Sequence, residues 1–282
     1  MATDLSPPRR RSFGTAGRRR VSLLAVLVVA ASQSLGFGNP AGAGPTSAAL
    51  TTRGGDELVV FAAASLSDAL RAIGSGFEAR TGHEVVFAFG GSGDLARQIR
   101  AGAPATVFVS ADAARVDELE KAGLVRPAER IDLLSNRLVV VVPSSSPIAL
   151  RSAADLASLP RLALADPATA PAGVYARQWL ERAGAWPTLR ERVVPTLDVR
   201  AALAAVASAS VPAAVVYRTD ALVSSGVRVA FEVPASEGPR IVYVAARVEG
   251  AGPAARAFFA QLRSPEARVV FERLGFEVLA AQ

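Results

Sequence analysis

The fold is decided at residues 58–70, which read LVVFAAASLSDAL. The apolar run at the start of this stretch predicts a buried strand, and the small residues after it predict a turn into a helix that begins near Ser67. The first N–H groups of such a helix have no partner within the helix, so they can bind an anion. Ser65 adds a hydroxyl to the turn without a positive side chain beside it. We therefore expect one wall of an oxyanion pocket here.

The same pattern of strand, turn and helix recurs along the chain, which predicts an α/β architecture. Three further turns place small or polar residues between the end of a strand and the start of a helix: GSG at 91–93, PAG at 171–173, and DV at 198–199. In open α/β sheets a ligand binds at the carboxyl ends of the strands, so we expect the four turns to meet. No Lys or Arg stands at their tips, which predicts that neutral donors and helix dipoles hold the anion.

Ordinary structural roles would also explain these residues one at a time. Helix N-capping alone fits three of the side chains, namely Ser65, Ser67 and Asp198. Gly91 and Gly93 fit turn positions with positive φ. Tyr217, at the end of an apolar strand, fits the edge of a core.

The composition bears on the class of protein. Among 282 residues there is no Cys and a single His, which excludes disulfides, a thiol nucleophile and lipid attachment through Cys, and argues against a soft-metal site. A Ser–His–acid hydrolase fits poorly, because His83 precedes Ser92 and the GGSGD turn lacks the last glycine of the nucleophile elbow. We expect a protein that is not an enzyme, and a cleft hydrolase is the weaker alternative.

The positive charge of the chain is concentrated at its N-terminus. Of the net charge of +6, residues 1–50 supply six Arg and one Asp, so residues 51–282 carry only +1, which argues against nucleic acid as a partner. After these arginines comes an apolar stretch at 21–31, too short to span a bilayer, and then an A-x-A site at 41–43. We predict an export signal over residues 1–43, a flexible N-terminus over 44–56 and a periplasmic location; a membrane anchor is the alternative.

The order of the predicted elements suggests two α/β lobes. The chain passes from one to the other near residues 135–138 and returns near 232–239. We therefore predict that residues 57–136 and 233–282 form lobe I, and that residues 137–232 form lobe II.

Several motifs follow one another at tight spacing over residues 57–276. They are FAAASL at 61–66, LARQI at 95–99, AGAPA at 101–105, FVSAD at 108–112, PAGVYA at 171–176, DVRAAL at 198–203 and VVY at 215–217. Together they resemble the periplasmic molybdate-binding proteins of ABC importers. The resemblance implies a type II periplasmic-binding-protein fold, in which each lobe is a mixed, mostly parallel sheet flanked by helices and the ligand lies in the cleft between the lobes.

The resemblance also implies a set of ligand-binding residues, namely Ser65, Ser92, Ala172, Val199 and Tyr217. In that mapping the two serines offer hydroxyls and backbone N–H groups, the tyrosine offers its phenol, and the other two residues offer backbone N–H groups. They would hold molybdate or tungstate without any direct bond from protein to metal and without a further cofactor. A membrane ABC permease is the implied partner of a monomeric protein, and another oxyanion such as sulfate is the alternative ligand. Glycines flank Ser92 where the family is serine-rich, so they could supply extra N–H donors.

Overall fold

The computed structural model describes residues 57–280, which lie within one compact unit of the chain. The strands, in chain order, are β1 (Leu58–Ala63), β2 (Val85–Gly90), β3 (Val107–Ser110), β4 (Val125–Ser135), β5 (Leu138–Pro143), β6 (Leu162–Ala165), β7 (Val193–Thr196), β8 (Ala214–Tyr217), β9 (Val227–Glu232), β10 (Tyr243–Val248) and β11 (Glu277–Val278). The helices are α1 (Ser67–Thr81), α2 (Ser92–Arg100), α3 (Ala113–Lys121), α4 (Pro171–Arg182), α5 (Trp186–Leu189), α6 (Val199–Ala207), α7 (Arg218–Leu222), α8 (Pro253–Gln261) and α9 (Pro265–Arg273).

These strands form two sheets. The first has the order β11-β4-β10-β3-β1-β2 and, with helices α1 to α3, α8 and α9, makes the body that we call lobe I. The second has the order β7-β6-β8-β5-β9 and, with helices α4 to α7, makes lobe II. Two mixed sheets flanked by helices confirm the predicted α/β fold class.

The sheets are less parallel than expected. Four strand pairings are parallel and five are antiparallel. The reason lies in the connections between the lobes. Strands β5 and β10 each follow a passage of the chain from one lobe to the other rather than a crossover helix, and both pair antiparallel with their neighbours. Parallel pairing is kept where helices return the chain to the same sheet edge.

The apolar runs in the sequence become the buried centre of each sheet. All six residues of β1 are buried, as are all six of β10 and nearly all of β5. Helix α1 packs its apolar stripe of Leu70, Ile73 and Phe77 against the first sheet and ends at Gly82, whose φ of 73° is the left-handed conformation that suits glycine. The strand ends are therefore fixed by rigid, well-packed elements.

Three helices begin earlier than the apolar periodicity predicts. Apolar periodicity alone predicts starts at Leu95, Val174 and Ala201, whereas helices α2, α4 and α6 begin at Ser92, Pro171 and Val199. The small and polar residues of a first helical turn do not continue the apolar stripe, so periodicity alone misses them. The consequence matters for function, because Ser92, Ala172 and Val199 lie within the first turns of these helices, where N–H groups lack intrahelical partners.

The predicted export signal at 1–43 and the predicted flexible segment at 44–56 both lie outside the described residues. Within residues 57–280, no helix is long and apolar enough to cross a membrane. The same residues contain no group of three or more His, Cys, Asp or Glu side chains placed to hold a metal ion.

Candidate functional site

A small cavity lies between the two lobes, where the strand-to-helix turns of both meet. Its volume is about 20 Å³, and all five residues predicted from the sequence line it. With them it is lined by Ala111, which follows strand β3, and by residues adjacent in the chain, so that the full lining is Ala63, Ala64, Ser65, Gly90, Gly91, Ser92, Ala111, Ala170, Pro171, Ala172, Asp198, Val199 and Tyr217. This is little more than the space that one water molecule needs. Only a compact ion suits such a cavity. The walls must move apart slightly to admit a tetrahedral oxyanion, which has five heavy atoms.

Lobe II presents two helix starts to the cavity. Ala172 is the second residue of helix α4, directly after Pro171, and Val199 is the first residue of helix α6. The carboxylate of Asp198 accepts a hydrogen bond from the N–H of Ala201 at 2.9 Å, which confirms Asp198 as a helix N-cap. In helix α6 this cap is used by the N–H of Ala201 and not by that of Val199. The first N–H groups of any helix have no acceptor within it, so those of Val199 in α6 and of Ala172 in α4 have no partner inside their own helices.

Ser65 is not the helix cap that was one interpretation of its position. It lies in a 3₁₀ turn, Ala64–Leu66, that precedes helix α1, and its Oγ is 3.0 Å from the Oη of Tyr243. That phenol also accepts a hydrogen bond from the Nδ2 of Asn136 at 3.2 Å. A buried phenol also needs an acceptor for its own hydrogen, and the Oγ of Ser65 is the acceptor within reach. In this arrangement Tyr243 donates to Ser65. The hydrogen of Ser65 is then free to point into the cavity.

Ser92, on the neighbouring turn of lobe I, also has a hydroxyl oxygen that accepts a hydrogen bond from the protein. Its Oγ accepts a hydrogen bond from the N–H of Ala111 at 3.0 Å, and its side chain is buried. Since the acceptor side of this hydroxyl is occupied by a backbone donor, its own hydrogen is available to a ligand. Two serines on adjacent turns are thus both arranged as donors.

The glycines beside Ser92 do not have the positive φ that was one interpretation of them. Gly91 has a φ of −65°, and Gly93 lies in the first turn of helix α2. They leave room for lobe II instead. A Cβ on Gly93 would overlap the carbonyl oxygen of Thr169, and one on Gly91 would lie 3.0 Å from the carbonyl oxygen of Leu197. The absence of side chains here lets the backbones of the two lobes approach closely.

Tyr217 brings a third hydroxyl from lobe II. The residue ends strand β8 and is 1% exposed, so it is fully buried rather than at a core edge. Its Oη has no hydrogen-bond partner within the described part of the chain. Burial, with a smaller contribution from nearby Tyr243, raises the pKa of this phenol well above its ordinary value, so it stays protonated as a donor. A buried hydroxyl without a partner is a place where a ligand is expected.

Within the described residues, no cationic side chain lines the cavity. Asp198 is the one charged residue among those lining it, and Arg200 lies further back. The guanidinium of Arg200 contacts the carboxylates of Asp220 and Asp68 at 2.6 and 2.7 Å. Burial raises the pKa of Asp220 to about 6, although Arg200 acts in the opposite direction. The hydrogen-bond donors that line the cavity are therefore neutral hydroxyl and N–H groups.

A family model described as bacterial extracellular solute-binding protein matches residues 58–277, which is nearly all of the described chain. The chain belongs to this family. The four turns that meet at the cavity all fall inside the matched range.

Individual relatives agree with the family assignment. The chain is 41% identical over 229 residues to the molybdate-binding protein ModA of Escherichia coli, covering 79% of this chain and 89% of that protein. It is 35% identical over 222 residues to a putative ABC transporter substrate-binding lipoprotein, YvgL, of Bacillus subtilis, covering 78% and 85%. Among solved structures, the periplasmic molybdate-binding protein of Azotobacter vinelandii matches with a TM-score of 0.72 and 25% identity, covering 79% of this chain and all of that one.

Proposed function

We propose that this solute-binding protein captures molybdate or tungstate and delivers it to a membrane ABC importer. The observation that carries the proposal is the buried hydroxyl of Tyr217, which has no partner in the described residues and lines a cavity with two serines whose hydrogens are free to donate. A fully deprotonated tetrahedral dianion fits donors of this kind, because each of its oxygens only accepts hydrogen bonds. The names of the relatives at 41% and 25% identity point to molybdate.

In this proposal five residues bind the ligand from two lobes. Ser65 and Ser92 donate their hydroxyls from lobe I, Ala172 and Val199 donate backbone N–H groups from lobe II, and Tyr217 donates its phenol. The metal centre makes no direct bond to the protein. Phosphate carries a proton at neutral pH and would need an acceptor, which this donor set does not offer.

The proposal extends to the setting of the protein. Residues 1–43 are a signal that directs export to the periplasm, and residues 44–56 are the N-terminus of the mature protein. Residues 57–136 and 233–282 constitute lobe I, and residues 137–232 constitute lobe II. The protein acts as a monomer, binds no nucleic acid, holds no cofactor other than its ligand and catalyses no reaction. Its partner is an ABC permease that senses the closed, loaded form.

A thermal-shift titration with four oxyanions tests the ligand. A ligand that binds only the folded state at a hundredfold excess over its Kd adds about 2.7 kcal/mol to the free energy of unfolding. We expect molybdate and tungstate to raise the melting temperature at micromolar concentrations, and sulfate and phosphate to have no effect there. Stabilisation by sulfate or phosphate but not by molybdate contradicts the proposal.

Two serines separated by one residue provide a matched test of the site. Ser65→Ala removes a hydroxyl that lines the cavity, whereas Ser67→Ala removes one that makes no capping hydrogen bond and does not line it. We expect Ser65→Ala to weaken molybdate binding by ~1–3 kcal/mol, the range for a hydrogen bond to a charged group, measured by titration calorimetry. Equal affinities of the two variants would mean that Ser65 is not a ligand.

A further inference from the structure

One arginine connects the hydroxyl-bearing turns of the two lobes. Arg200 is the second residue of helix α6 in lobe II, and its Nε donates to the buried carboxylate of Asp220 at 2.6 Å. Its Nη2 reaches across the cleft and donates to the carboxylate of Asp68 at 2.7 Å and to the carbonyl oxygen of Ser65 at 3.3 Å. Both of these acceptors belong to lobe I.

The two ends of this bridge are attached to the proposed ligand-binding residues. On the lobe II side, Asp220 accepts a hydrogen bond from the N–H of Tyr217 at 3.2 Å. On the lobe I side, the bond to the carbonyl oxygen of Ser65 fixes the backbone of the other turn directly. Arg200 therefore spans from the turn of Tyr217 to the turn of Ser65 without itself lining the cavity.

The hydrogen bonds of Arg200 within lobe II and those to lobe I respond differently to opening of the cleft. The pair between Arg200 and Asp220 lies within lobe II, so it persists when the lobes separate. The bonds to Asp68 and Ser65 join different lobes, so they exist only when the cleft is closed. The side chain of Asp220 is fully buried and that of Asp68 is 48% exposed, which matches a permanent partner and an exchangeable one.

We propose that Arg200 is a positioning residue that clasps the lobes in the closed state, with Asp68 as the acceptor that it gains on closure. The inference rests on the proposed function, because it adds a closure step to that binding event. Arginine suits the role better than lysine, since its planar fork donates from Nε and Nη2 in two fixed directions at once, whereas a lysine has one nitrogen. By holding the cleft shut, the clasp slows release of the anion.

The test uses Asp68→Asn, because removing Arg200 would leave Asp220 buried without its partner and could unfold the protein. Asp117→Asn is the matched control. Asp117 is 47% exposed and pairs with Arg130 at 2.5 Å, but both residues belong to lobe I. Molybdate affinity is measured by titration calorimetry. Lobe closure is measured as the distance between spin labels on cysteines placed at the exposed residues Arg100 and Arg190, one on each lobe, in a chain that has no native Cys.

We expect Asp68→Asn to bind molybdate about tenfold more weakly. The loss should appear as a faster dissociation rate, while the association rate stays the same. At saturating molybdate, its label distances should show a larger open fraction, and the melting temperature without ligand should stay close to that of the unaltered protein. Asp117→Asn should match the unaltered protein in affinity and closure. If the two variants behave alike in both measurements, Arg200 is not a clasp.

Failure of the proposed function gives a different pattern. If the unaltered protein binds none of the four oxyanions, that function is wrong. The clasp is then still judged from label distances without ligand, where Asp68→Asn should reduce the closed population. An unchanged distance distribution in that experiment overturns the clasp.

Discussion

Tyr217 carries a buried hydroxyl that has no partner in the described residues, and such a group costs free energy in the ligand-free protein. Tyr217→Phe removes the hydroxyl and keeps the ring. We expect molybdate binding to weaken by ~1–3 kcal/mol, because a hydrogen bond to a charged ligand is lost. The free energy of unfolding without ligand should stay the same or rise. Titration calorimetry and urea unfolding measure the two quantities.

Tyr243→Phe is the control, because this tyrosine is equally buried but its hydroxyl is bonded to Ser65 and Asn136. Its loss should lower both the affinity for molybdate and the free energy of unfolding. If Tyr217→Phe also lowers the free energy of unfolding while leaving molybdate affinity unchanged, its hydroxyl serves the fold and not the ligand.

Asp220 should make the stability of the protein depend on pH. Burial raises its pKa from 3.8 to about 6 in the folded state, against the attraction of Arg200. Between these values the folded protein holds a proton that the unfolded chain has released, so the stabilising contribution of this group is complete below about pH 4 and is lost as the pH rises through 6. Relative to Asp220→Asn, the free energy of unfolding should fall by ~2–3 kcal/mol between pH 4 and 7.

Urea unfolding of both proteins at several pH values measures this difference. Comparison with the asparagine variant removes the contribution of the other titrating groups, which the two proteins share. If the free energy of unfolding of the unaltered protein instead rises with pH relative to that of Asp220→Asn, then Arg200 outweighs burial and holds the pKa of Asp220 below its ordinary value.

At the scale of elements, the start of helix α2 must fit against lobe II. A Cβ on Gly93 would overlap the carbonyl oxygen of Thr169 across the cleft, although alanine is a better helix former than glycine. We therefore expect Gly93→Ala to leave the ligand-free melting temperature unchanged or raised, and to weaken molybdate binding at least ~10-fold because the lobes cannot close fully.

Gly76→Ala provides the comparison for this substitution. Gly76 lies in helix α1, where an added Cβ would meet only the flexible end of Arg80 at 3.4 Å. The melting temperature of Gly76→Ala without ligand should also stay the same or rise, but its affinity for molybdate should equal that of the unaltered protein. Equal affinity of Gly93→Ala would show that the cleft has room for the added methyl group.

Features set by neighbouring residues could be predicted from the sequence, whereas contacts between residues far apart in the chain could not. The turn at Ser65 was predictable because strand, small residues and helix follow one another locally. The bond from Ser65 to Tyr243 joins residues 178 positions apart, and that from Arg200 to Asp68 joins residues 132 apart. Such pairs depend on how the chain returns to lobe I and how the lobes close, which no local pattern records.

Strand β4 is hard to predict from the sequence for a different reason. Its eleven residues include Pro127 and several charged side chains, and its burial follows no simple alternation. It pairs with β10 on one side, but on the other only with the two-residue strand β11. A strand whose second edge is mostly uncovered needs little apolar sequence, so its pattern resembles a loop. The apolar runs of β1 and β5, buried on both faces, were predictable for the opposite reason.

At the scale of the whole molecule, the described structure is a closed state. Ser65, Ser92 and Tyr217 are between 1% and 2% exposed, so an anion cannot reach their hydroxyls unless the lobes separate. The chain connects the lobes through residues 136–137 and again between strands β9 and β10. With only these connections, a rotation of one lobe against the other can open the cleft while both sheets stay intact.

This geometry predicts that ligand-free protein in solution is more extended than the loaded form. Small-angle X-ray scattering should give a radius of gyration that falls when molybdate is added to saturation, because the ligand binds the closed state better and shifts the population towards it. Sulfate at the same ionic strength is the control and should leave the radius unchanged. Gly93→Ala should show a smaller decrease, since its lobes stop short of full contact. If molybdate binds with full affinity and the radius does not change, the site is already closed without ligand, and affinity does not depend on lobe closure.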